Sequence, residues 1–177
     1  VWRAYARGVH IRAAVDGDAE AIGRLHVRAW QAAYRGVMPD AYLDALDPDD
    51  RTRMWRARIG LPDLPPLLVA TVDDEVVGFA AFGAERSDAG STGRGELYAI
   101  NLDPDHWGHG TGRGLLQRAT ESLAELGHTE AVLWVVPQNE RARALYESEG
   151  WTADGATTNE EMLGVVVTEM RYVRSLP

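Results

Sequence analysis

The segment with the clearest chemical capacity is D-P-D-H-W-G-H-G-T-G-R-G-L-L at positions 103–116, where Gly108, Gly110, Gly112 and Gly114 alternate just before an apolar-periodic stretch. Glycine lets the backbone take positive φ and approach a ligand closely. The first N–H groups of a helix lack internal acceptors, and the helix dipole places about half a positive charge at that end. Such a loop suits a phosphate or diphosphate. A P-loop would end in Gly-Lys-Ser or Gly-Lys-Thr, where this chain has Gly112-Arg113-Gly114. The dinucleotide pattern G-x-G-x-x-G also fails, because counting from Gly108 ends on Arg113 and counting from Gly110 ends on Leu115. A nucleoside triphosphatase and a Rossmann enzyme are therefore disfavoured. The plainer alternative is a flexible surface turn.

The elements that must position this loop follow from periodicity. Residues 9–14 read as a short strand, and Asp16-Gly17-Asp18 supplies turn and N-cap chemistry. Ile22, Leu25, His26, Ala29, Trp30 and Ala33 then share one stripe of a helix that Gly36 and Pro39 stop. A second helical stretch is predicted from about residue 40 to the arginine-rich segment before Gly60. Residues 67–72 and 75–84 are β-rich runs about Asp73-Asp74, which predicts a hairpin, and 87–95 is a glycine-rich connection. Residues 96–102 predict the strand that enters the loop, and Leu115, Ala119, Leu123 and Leu126 mark the inner side of the helix that leaves it. A strand at 131–136, a helix at 139–149 and strands from Trp151 and over 164–173 complete the order. That order predicts a mixed sheet with helices on both faces.

Composition narrows the classes. With 177 residues and 45% hydrophobic content, the chain has the length of one domain, expected over residues 9–177, with residues 1–8 as a loose N-terminal extension. The net charge of −9, with 18 basic against 27 acidic residues, argues against nucleic acid as a partner. There is no cysteine, which excludes disulfides, thiolate metal sites and a cysteine nucleophile, and suits a reducing cytoplasm. Apolar runs such as 65–72 fall short of the roughly 20 residues that a membrane span needs, and no signal-peptide h-region is recognisable, so a soluble, unexported protein is expected. His26, His106, His109 and His128 lack metal-ligand spacing, and no metal is expected.

Two ordered motifs resemble the GNAT superfamily of N-acetyltransferases, and the likeness covers roughly residues 9–173. Trp107-Gly108-His109-Gly110-Thr111-Gly112 is similar to the family's [Gln/Arg]-x-x-Gly-x-[Gly/Ala] loop, departing from it at Trp107. Asn139-x-x-Ala142-x-x-Leu145-Tyr146-x-x-x-Gly150-Trp151 is similar to a second family segment. The resemblance implies an α/β fold with a GNAT-like mixed, mostly antiparallel central sheet of about six to seven strands flanked by about four helices. It implies acetyl-CoA as co-substrate, direct transfer to a primary amine in a ternary complex, and a homodimer. The backbone near Leu102 would pair with the pantetheine arm. The N–H groups of Gly108, His109, Gly110, Thr111, Gly112 and Arg113 would hold the diphosphate, with the Arg113 side chain assisting. Asn139 and Ala142 would meet the pantetheine.

Acetyl transfer needs a base for the ammonium proton and a proton for the departing thiolate. Tyr146 is the candidate acid, since a phenol with pKa roughly 10 matches a thiolate in basicity; the alternative is a core tyrosine. Glu96 is the candidate base by family position, with strand parity placing Tyr98, Ile100 and Leu102 on its side, and the alternative is a solvated strand-end glutamate. Tyr98 is the fallback. Asn139 also suits an N-cap. Trp30 and Tyr34 flank the region that in the family lies over the acceptor, though Trp30 equally suits the core, and cation–π contact would hold a charged amine. A CoA-binding regulatory module without turnover is the alternative function, and a nucleotide-binding module a third.

Overall fold

The computed structural model describes residues 8–61, 63–65, 67–86, 93–162 and 165–177. The strands are β1 (Val9–Ala13), β2 (Leu68–Val72), β3 (Glu75–Ala84), β4 (Gly95–Leu102), β5 (Glu130–Val135), β6 (Thr152–Met162) and β7 (Val165–Ser175). They form one seven-stranded sheet in the order β1-β2-β3-β4-β5-β7-β6. Only β4 and β5 run parallel; every other neighbouring pair is antiparallel. The helices are α1 (Ala19–Tyr34), α2 (Asp40–Asp44), α3 (Pro48–Arg58), α4 (Thr111–Glu125) and α5 (Glu140–Ser148). The expected loose extension and the glycine-rich connection fall largely on residues 1–7 and 87–92, outside the described residues.

Two local departures from the sequence reading have plain causes. The helical stretch expected from about residue 40 to Gly60 is two helices, because Pro48 cannot continue an incoming helix but suits the first turn of a new one. Asp47 caps that new helix by accepting from Asp49 N at 2.9 Å. Asp18, read as cap chemistry, instead spends its carboxylate on Arg12, at 2.6 and 2.9 Å, and on Val15 N at 2.8 Å. Residues Asp16–Asp18 form a 3-10 turn, and α1 starts after it. The Asp73-Asp74 hairpin is present, with both residues at positive φ (49° and 66°) as a type I′ turn requires.

Each face of the sheet is covered. Leu115, Leu116, Ala119 and Leu123 of α4 pack with Phe82, Leu97 and Leu133 on one side. Ile22, Leu25 and Ala29 of α1 and Trp55 of α3 pack with Val69, Phe79 and Ala81 on the other. Fully burying a residue such as Leu115, Phe79 or Ile22 contributes about 1.5–3 kcal/mol each, so the apolar stripes read from the sequence fix both helices to the sheet.

His26 lies within the second layer, 5% exposed, among Trp30, Trp55 and Phe79. The Trp55 indole donates to its Nδ1 at 2.9 Å, which places the imidazole proton on Nε2, an atom with no partner. Burial, aided by the positive charge of Arg51, lowers its pKa to about 3. The unfolded chain therefore binds this proton at a higher pH than the folded one, so stability rises with pH between the two values. Urea unfolding should show about 2 kcal/mol of stability lost between pH 7 and pH 5, a loss that His26→Gln removes. An identical pH dependence in the variant would contradict this assignment.

Candidate active site

The sheet opens at its centre. The parallel pairing of β4 and β5 lasts only from Gly95↔Ala131 to Leu97↔Leu133, although β4 continues to Leu102 and β5 to Val135. A bulge supplies the cause: on β3, Ala81 faces Ala99 while the next residue, Phe82, faces Leu97, so Tyr98 is the extra residue of β4. An extra residue bends its strand and leaves part of the ladder unpaired. The resulting cleft has a volume of about 770 Å³. It is walled by β4 and β5, by the N-terminal ends of α4 and α5, and by Trp30 and Tyr34 of α1.

At one end lies the glycine loop. Gly108 and Gly110 have φ of 80° and 85°, the left-handed conformation that glycine takes without a Cβ clash. Gly110 is the N-cap of α4 and offers no side chain. Gly114 N bonds Gly110 O at 3.1 Å, whereas the backbone N–H groups of 108–113 have no acceptor among the described residues. These amides sit at the positive end of a fifteen-residue helix, an arrangement that fits a diphosphate. The strand-to-loop turn is fastened from α1, where Arg28 reaches Asp103 at 2.7 Å and Asp105 at 3.0 Å. Trp107 donates its indole N–H to Leu102 O at 3.2 Å, so one carbonyl of the backbone expected near the pantetheine arm is engaged by the protein itself. Arg113 is turned to Glu149, Nε to Oε1 at 2.8 Å.

Across the cleft, α5 presents Asn139, Ala142 and Tyr146. Asn139 caps α5, accepting from Ala142 N at 3.2 Å, and its side chain opposes the rise of the Tyr34 pKa. Tyr146 is 6% exposed, packs beside Trp151 and Tyr172, and also lines the cleft. Burial, with the nearby Tyr34 and Glu169, raises its pKa far above that of an ordinary phenol. Burial also raises Tyr34, against the opposing effect of Asn139.

Glu96 is not a solvated strand-end residue. It is 1% exposed, and Arg86 holds both of its oxygens: backbone N to Oε2 at 2.8 Å, Nη2 and Nε to Oε1 at 2.6 and 3.1 Å. The parity expected along β4 also changes at the bulge. Tyr98 and Ala99 pack toward α1 and α3, while Ile100 and Leu102 join Leu97 on the α4 side. Tyr98 donates its hydroxyl to Ala84 O, and its ring lies under Arg86 at 4.6 Å and Arg58 at 5.7 Å. Burial and Glu96 raise its pKa, so the hydroxyl stays protonated and bonded to Ala84 O, unable to take a proton as a phenolate, while Tyr98 lines the cleft.

Three lining residues were missed in the sequence. Glu169 of β7 faces the cleft, and its charge opposes ionisation of Tyr34 and Tyr146. A lone acid at alternate spacing from Val165 and Val167 was the available signal. Arg86, the partner of Glu96, comes from beyond the end of β3, and Arg141 sits over Trp107; neither carries a sequence signal. Among the described residues, no group of His, Asp or Glu is placed to hold a metal, and no helix is long and apolar enough to cross a membrane.

Comparison with known proteins bears on the family and the fold. The Acetyltransferase (GNAT) family profile matches residues 20–151. The chain is 34% identical over 132 residues to the uncharacterized N-acetyltransferase YuaI of Bacillus subtilis, covering 74% of this chain and 73% of that one. It is 32% identical over 143 residues to the L-amino acid N-acyltransferase MnaT of Escherichia coli, covering 80% and 78%. The structure of yncA from Salmonella typhimurium, solved with its cofactor acetyl-CoA, superposes with a TM-score of 0.72 at 26% identity, covering 97% of this chain and 95% of the other.

Proposed function

This chain belongs to the GNAT family of acetyltransferases, and from that premise we propose that it transfers acetyl from acetyl-CoA directly to a primary amine in a ternary complex, within one domain spanning residues 9–177. The observation that carries the reading is the run of unpartnered amides at 108–113, opening onto a cleft that Tyr146 also faces. Those amides grip the diphosphate, and the thioester arm runs along the edge of β4 left open where it parts from β5. Asn139 and Ala142 flank that arm from α5. Trp30, Tyr34 and Tyr98 line the acceptor end, where the Glu169 carboxylate and the aromatic faces favour a cationic amine.

The chemistry then distributes as follows. A bound ammonium first releases a proton to solvent to become the neutral nucleophile; its nitrogen then forms a bond to the acetyl carbon, the carbon–sulfur bond breaks, the nitrogen loses a second proton and the sulfur gains one. Tyr146, whose raised pKa removes the match in basicity expected of an ordinary phenol, donates a hydrogen bond to the sulfur and passes its proton only as thiolate charge develops there. Arg86 engages both oxygens of Glu96, two N–H groups on Oε1 and one on Oε2, so the amine proton reaches Glu96 at the lone pair left on Oε2, directly or through an ordered water.

Release of free thiol from acetyl-CoA should depend on the amine, with intersecting initial-rate patterns. A panel that includes L-amino acids and amines lacking a carboxylate separates acceptor classes. Calorimetric binding of acetyl-CoA without thiol release on any amine would replace this reading with that of a CoA-binding module. Glu96→Gln should lower kcat/KM by about 10²-fold while acetyl-CoA affinity is kept. An unchanged kcat/KM would assign the proton to water. The reading also carries a cytoplasmic setting and a homodimer, the latter open to sedimentation.

A further inference from the structure

Around the glycine loop, three cations are within reach and two are spoken for. Arg28 is bound to Asp103 and Asp105, and Arg113 to Glu149. The third, Arg141 in the first turn of α5, is exposed and has no carboxylate partner among the described residues. Its guanidinium lies 4.4 Å from the centroid of the Trp107 ring, and both residues line the cleft beside Gly108, Gly110 and Gly112. Trp107 is itself anchored by its indole bond to Leu102 O. A flexible arginine loses much side-chain freedom on binding an anion; stacking on an anchored ring removes part of that freedom beforehand while leaving the N–H fork available.

We propose that Arg141, laid over Trp107, is the side-chain cation that binds the CoA diphosphate held by the loop amides. It does so where the loop motif has a tryptophan in place of Gln or Arg. The inference rests on the cofactor reading above. In an acidic protein whose Arg113 is neutralised by Glu149, this arginine offsets phosphate charge that the amides meet only through dipoles. The diphosphate is assigned in preference to the ribose 3′-phosphate because the ring beneath Arg141 is fixed to the strand end that enters the loop.

The test compares the full-length protein with Arg141→Ala and Arg141→Lys, using CoA and 3′-dephospho-CoA in calorimetry and S-acetylpantetheine as a phosphate-free acetyl donor. The melting temperature without ligand should be unchanged, since the side chain is exposed. Arg141→Ala should weaken CoA and 3′-dephospho-CoA alike by about tenfold, with a flatter salt dependence, and leave kcat/KM for S-acetylpantetheine as it was. Arg141→Lys should recover part of the loss. Loss confined to CoA would overturn the diphosphate assignment, and unchanged affinity, or an equal loss with S-acetylpantetheine, would overturn the proposal. Failure of the unmodified protein to bind CoA would instead overturn the cofactor reading itself.

Discussion

Tyr146→Phe should lower turnover by about 10²–10⁴-fold, while the dissociation constant of acetyl-CoA stays close to its starting value. The expected loss corresponds to roughly 3–5 kcal/mol of transition-state stabilisation. The hydroxyl is removed from a side chain whose ring is held by Trp151 and Tyr172, so the fold around it should persist. A merely structural tyrosine would give the opposite pattern, little change in turnover and altered melting. The raised pKa adds a second reading. Because burial, Tyr34 and Glu169 all favour the protonated phenol, the donor form persists above the ordinary phenol range. Activity should therefore show no alkaline decline from this residue up to about pH 10. A descending limb near neutrality that vanishes in the Phe variant would contradict it.

Gly110→Val should raise the dissociation constant of acetyl-CoA by about 10²-fold or more, from the loss of two charge-assisted hydrogen bonds at about 1.5–3 kcal/mol each. Gly110 has φ of 85° at the N-cap of α4, a conformation that costs an L residue roughly 1–2 kcal/mol and a β-branched one more. The loop relieves that strain by turning its amides away from their common focus. Gly112→Ala provides the contrast: its φ is not positive, and an added Cβ would meet Leu102 Cδ1 at 3.4 Å and Leu145 Cδ2 at 3.5 Å, ordinary contacts. Because Gly112 needs no positive φ and its amide is kept, calorimetry should find a much smaller loss of affinity in Gly112→Ala than in Gly110→Val. Equal affinity in Gly110→Val would mean that this turn does not hold the cofactor.

The chain by itself determined what depends on neighbours in sequence. Alternating glycines before an apolar-periodic helix dictate an amide-rich, side-chain-free helix start, and Asn139 ahead of Glu140 dictates a capped α5. Apolar stripes of period 3.6 and runs of period 2 set the helices and strands, because burying one face is the main favourable term available to each. What tertiary structure alone decided are properties of pairs far apart in the chain. The bulge at Tyr98 arises from β3 pairing against β4; it splays β4 from β5 and reverses the expected parity beyond Tyr98. The engagement of Glu96 needs Arg86, ten residues away and in no periodic relation to it. Glu169 meets Tyr34 and Tyr146 only because β7 lies beside β5, and Arg141 meets Trp107 only because α5 packs across the cleft mouth. Local pattern carries backbone conformation and burial; charge partners and proton affinity depend on what the fold brings within a few ångströms.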